Sequence, residues 1–194
     1  MDVAVSSAGQ GFGWLRRLSL SLSLCLLLLS TPCLAQSEAP INLVDQRAKA
    51  VTQVVLGILS YARWPTEPAQ LQLCVIGPTE YTDDLFKGTT QSSGRSVHVS
   101  RLLANNPSIA SVCNAVYLGK LIAQERSDLF DSLAGQAVLS ISEDGHQCTV
   151  GSFFCLHFKD DQVVFEVNLD SVARSGVRIH PSVLQLSRRK AVQP

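Results

Sequence analysis

The sequence predicts an α/β layered sheet, mainly parallel in its first part, with an antiparallel C-terminal hairpin and helices on its flanks. Three observations carry that expectation. Short apolar runs alternate with amphipathic helical stretches between residues 41 and 141. Two strand patterns, residues 154–158 and 163–167, are separated only by Lys159-Asp160-Asp161-Gln162. Four cysteines remain once an export segment is set aside, an even number in a chain of single-domain size.

Taken in order, the chain opens with Arg16 and Arg17 ahead of an apolar run over residues 18–29, which ends in Ser30, Thr31 and Pro32. Cys33-Leu34-Ala35 then fits a small-residue cleavage site. The run is shorter than the ~20 residues that span a bilayer. Residues 1–35 are therefore expected to be a cleaved signal peptide, and residues 36–194 a single exported domain. Cys25 and Cys33 leave with the signal. Charge is balanced, with 16 Lys and Arg against 16 Asp and Glu in the whole chain and 14 against 15 after cleavage. That balance excludes the basic surface of a nucleic-acid binder.

A helix is expected from Asn42, a plausible N-cap, because Val44, Ala48, Val51, Val55, Ile58, Leu59 and Ala62 recur at spacings near three and four. Trp64-Pro65 closes it, leaving Arg63 at its C-terminus, where the helix dipole favours a cation. Residues 71–76 read as a buried strand, and Gly77-Pro78 turns it into a short helical stretch over 79–86. After a loop at 91–94 comes an alternating strand over 95–99, then a break at Asn105-Asn106-Pro107. Residues 112–118 read as a strand carrying Cys113, residues 121–133 as an amphipathic helix ended by Gly135, and 138–141 as a further strand. The hairpin follows, and 181–186 reads as a short helix.

Cys74, Cys113, Cys148 and Cys155 allow three disulfide connectivities. The local pairing Cys148–Cys155 is favoured, which leaves Cys74–Cys113. Closing about 40 residues stabilises by roughly 4 kcal/mol, and closing about eight by roughly 2.5 kcal/mol, on loop entropy. The large loop carries the fold; the small one fixes a turn and is the more reducible. No CxxC spacing is present, which argues against a thioredoxin-type enzyme.

Side chains two apart share a strand face, so Glu166 lies with Asn168, and Arg178 with His180 if residues 177–180 are extended. Two cations facing a carboxylate and an amide would suit a small zwitterion or a nucleotide. The plainer alternative is that Glu166 and Arg178 pair with each other. The sequence lacks GxSxG, HExxH, P-loop and GxGxxG motifs, and His98, His146, His157 and His180 show no metal-ligand spacing. No cofactor or metal is expected. An exported enzyme using His180 or Glu166, or a small-ligand-binding protein, is the alternative reading.

Taken together, Cys74 and Cys113, Cys148-x-x-Gly151-x-x-x-Cys155, Phe165-Glu166-Val167-Asn168, Ser175-Gly176-Val177-Arg178-Ile179 and Leu184-x-Leu186 resemble the YfiR family of periplasmic repressors. The resemblance covers essentially the whole mature chain. It implies a homodimeric, non-enzymatic regulator with both disulfides, which binds and inhibits the inner-membrane diguanylate cyclase YfiN and lowers cyclic di-GMP and biofilm exopolysaccharide. Release by the outer-membrane lipoprotein YfiB is part of the same expectation, and a response to redox state is expected from the more reducible small disulfide loop. The resemblance also implies a pocket for a small ligand such as GMP or tryptophan, whose matching residues here are Arg63, Glu166, Arg178 and His180.

Overall fold

The structure, a computed structural model, describes residues 43–91, 93–145, 151–159 and 162–188. The expected signal peptide, the Asn42 cap, His146, Cys148, the Asp160-Asp161 turn and the Arg189-Lys190 tail lie outside the described residues. The first helix, α1 (Leu43–Tyr61), buries Ala48, Val51, Val55, Ile58 and Leu59, the face its periodicity marks out. A two-residue strand follows it directly, β1 (Ala62–Arg63).

The sheet grows around β2 (Leu71–Ile76), which is apolar on nearly every residue and buried on both faces. The other strands are β3 (Thr89–Thr90), β4 (Ser96–Leu102), β5 (Ala115–Leu118), β6 (Leu139–Ser142), β7 (Phe154–Lys159) and β8 (Gln162–Val167). Their order is β3-β4-β2-β5-β6-β7-β8. Strands β4, β2, β5, β6 and β7 pair in parallel. Antiparallel strands β3 and β8 close the two edges.

Residues of alternating parity define two cores. On one face Leu73, Val75, Tyr117, Ile141, Phe154 and Phe165 pack under α1. On the other, Cys74, Ile76, Val116 and Leu118 meet a single helical turn, α2 (Ile109–Val112), and a longer helix, α3 (Ala123–Leu133). The Cys74–Cys113 disulfide lies in this second core and ties β2 to the segment entering β5.

Several expectations are corrected. Cys113 is not in a strand: it caps α2, its N–H donating to the Ile109 carbonyl, and β5 begins at Ala115. Between them Asn114 bonds outward, exchanging N–H and side-chain bonds with Gln72 and accepting from Trp64 Nε1 and Leu139 N. Residues 79–84 do not form a helix, because the N–H groups of Glu80 and Tyr81 are held by the distant Glu143 carboxylate; only a 3-10 turn, Leu85–Lys87, forms. Helix α3 starts at Ala123, with Ile122 still extended and its N–H donating to Glu125.

Asn168 is spent as a helix cap. Its side chain accepts from Ser171 N at the start of α4 (Leu169–Arg174), an element the sequence reading passes over. The chain then enters β9 (Arg178–Ile179) and ends its described part in a 3-10 helix, Pro181–Arg188.

Candidate functional site

β9 pairs antiparallel with β1, so the far end of the chain is brought onto the C-terminus of α1. Ala62 faces Ile179, and Arg63 faces Arg178. The His180 N–H extends the ribbon by donating to the Tyr61 carbonyl at 3.0 Å. Trp64 anchors the near side: buried, it donates from Nε1 to the Asn114 carbonyl, at the N-terminal end of the parallel strands. Gly176 lets the other strand pass closely, since a Cβ there would sit 3.2 Å from Ala137 Cβ and 3.4 Å from Pro65.

Three of the four expected ligand residues thus meet on this ribbon. Arg63 stays at the end of α1, as its position suggests, although the helix stops at Tyr61 and Arg63 itself is in β1. One of its guanidinium nitrogens donates to the carbonyls of Ser60 and Ala62, at 2.8 and 2.7 Å. Arg178 is exposed and makes no ion pair among the described residues. The His180 ring stacks beside Tyr61, with centroids 6.2 Å apart, and accepts from Ser182 N at Nδ1. That bond leaves Nε2 as the outward donor of the neutral ring.

Two arginines directly opposite one another are unfavourable by themselves. Cross-strand partners hold their Cβ atoms about 5 Å apart, and like charges there repel. An anion placed between the two guanidinium forks turns that repulsion into binding.

Glu166 stands elsewhere. It is the cross-strand partner of Cys155, whose face of the sheet is opposite the one under α1. Its exposed carboxylate meets His157 Nε2 at 3.4 Å. The simple pair Glu166–Arg178 is not formed. Cys155 is itself disulfide-bonded and fully buried; Cys148 is outside the described residues.

Sequence reasoning missed a second polar cluster. Chain order reverses around β2, with β4 on one side and β5 on the other, and crevices at such points beyond the carboxyl ends of strands commonly take ligands. Here a cavity of about 230 Å³ is lined by Glu80, Tyr81, Lys120 and Glu143. Buried Glu143 accepts from the N–H groups of Glu80 and Tyr81 at 2.9 Å each, and from the Tyr117 hydroxyl at 3.1 Å. Burial pushes its carboxyl above the ordinary value of 4.5, against the pull of those donors. The Tyr117 hydroxyl is pushed well above its usual value by burial, then by the neighbouring Glu143 charge. At the rim, Lys120 pairs with Glu80 at 2.8 Å and holds that carboxyl below its usual value. With its carboxylate engaged by three protein donors, this cluster ties two loops together. It is architecture.

No helix among the described residues is long and apolar enough to cross a membrane. A family model described as YfiR/HmsC-like matches residues 48–188, nearly the entire described span.

Proposed function

Because this chain belongs to the YfiR/HmsC-like family, of periplasmic regulators of cyclic di-GMP signalling, we propose that it represses an inner-membrane diguanylate cyclase of the YfiN kind. In this reading a homodimer holds the cyclase inactive, and a YfiB-like outer-membrane lipoprotein draws the repressor away. The small disulfide loop at Cys148 and Cys155 adds a redox input. The ribbon senses a small anion such as GMP, or the carboxylate of tryptophan.

The observation that supports the sensing step is the facing pair Arg63 and Arg178, neither of which has a carboxylate partner among the described residues, with His180 beside them. Glu166 is the fourth residue the resemblance implies; to join the other three its carboxylate must leave His157. The decisive experiment is deletion of the gene in its own host, with cyclic di-GMP quantified in extracts. Levels should rise and return to normal on complementation, and co-purification from membranes should bring down the cyclase. Unchanged cyclic di-GMP in the deletion strain would end the proposal.

A further inference from the structure

Between the C-terminal turn of α3 and the inner face of α4 lies a cavity of about 550 Å³, within the size range of small-molecule sites. It shares no lining residue with Arg63, Arg178 or His180. Its walls are largely apolar: Phe130 and Leu133 from α3, Val138 ahead of β6, and Phe153 ahead of β7. Two groups on α4 break that character. Ser171 and Arg174 are three residues apart and so share a helix face.

Ser171 is only 6% exposed, and its hydroxyl has no hydrogen-bond partner among the described residues. Other serines at this wall are satisfied: Ser140 donates to the Gly151 carbonyl and accepts from Phe153 N, and Ser175 donates to the Val172 carbonyl. A buried hydroxyl left unpaired costs stability, and its persistence calls for an occupant. Arg174, at the exposed end of the same face, makes no ion pair among the described residues. One planar fork, one hydroxyl donor and an apolar chamber match a carboxylate on an aryl or alkyl body. A phosphate would want more cations or a set of backbone N–H groups.

We propose that this cavity is a binding site for small amphipathic carboxylates, with the carboxylate on Arg174 and Ser171 and the apolar body against Phe130, Leu133, Val138 and Phe153. It is independent of the repressor reading and is tested on the purified protein alone. The probes are 3-phenylpropanoate and 3-phenylpropylamine, of like shape and opposite charge, measured by titration calorimetry. The acid should bind about tenfold or more tightly than the amine, and Arg174→Gln should weaken it by about tenfold, as loss of a charged hydrogen bond does. Ser171→Ala should weaken binding while raising the melting temperature of the free protein, a combination that a purely structural serine does not produce. Arg178→Ala should leave the affinity unchanged. No heat with the acid, equal affinity for the amine, indifference to Arg174→Gln or Ser171→Ala, or a comparable loss in Arg178→Ala would each overturn the proposal.

Discussion

Glu143 joins three stretches of chain that are distant in sequence, since its donors lie on residues 80, 81 and 117. Glu143→Ala would leave two N–H groups and a buried tyrosine hydroxyl unpaired. A loss of about 2–4 kcal/mol in unfolding free energy is expected, measured by denaturant titration. Its raised carboxyl also sets a sign for pH. The folded state holds this proton to higher pH than the unfolded chain does, so the contribution is complete below the ordinary value of 4.5 and is lost as pH rises through the folded value. Wild type should therefore gain stability relative to Glu143→Gln as pH falls from neutral toward 4.5. A constant difference across that window would contradict the assignment. At the ribbon, Arg178→Ala removes one of two facing cations. GMP should then bind about tenfold or more weakly in calorimetry, while stability without ligand is unchanged or slightly higher.

At the scale of elements, the Cys74–Cys113 bond spans a sequence separation of 39 and fastens neighbouring strands β2 and β5 through the segment ahead of β5. Cys74→Ser should lower unfolding free energy by about 4 kcal/mol on loop entropy, and by more than Cys148→Ser, which on the proposed Cys148–Cys155 pairing opens a loop of about eight residues. Equal losses would remove the distinction. Elements that are dense in apolar residues were legible in advance. β2 is apolar at all but one position, so its limits at Leu71 and Ile76 agree with expectation, and the hairpin of β7 and β8 follows from two apolar runs and a short polar turn. What was not legible depends on distant partners. Residues 79–84 look helical until Glu143 takes their N–H groups. α4 is six residues long and begins with an exposed leucine, so only Asn168 marks its start. For the site, the extended Arg178 segment and the position of Arg63 could be read locally. That they face each other could not, nor that Glu166 turns to His157, because cross-strand register is a property of the folded sheet.

Across the whole molecule, a mainly parallel sheet between two apolar layers gives the regulator a stiff body, and the arginines that the two sites use, without a carboxylate partner among the described residues, lie beyond the end of α1, in β9 and at the end of α4 rather than within that body. A short stretch, residues 175–177, links α4 to β9. The ribbon also has a consequence for the order of assembly. β1 and β9 are separated by more than a hundred residues, and two residues per strand close that loop only once the intervening sheet has formed. During synthesis, β1 is made early and waits for a partner that arrives near the end. A chain still folding, or clipped before Arg178, has one guanidinium where the finished protein has two. The facing of Arg63 and Arg178 is thus acquired last, and only by molecules whose folding is complete.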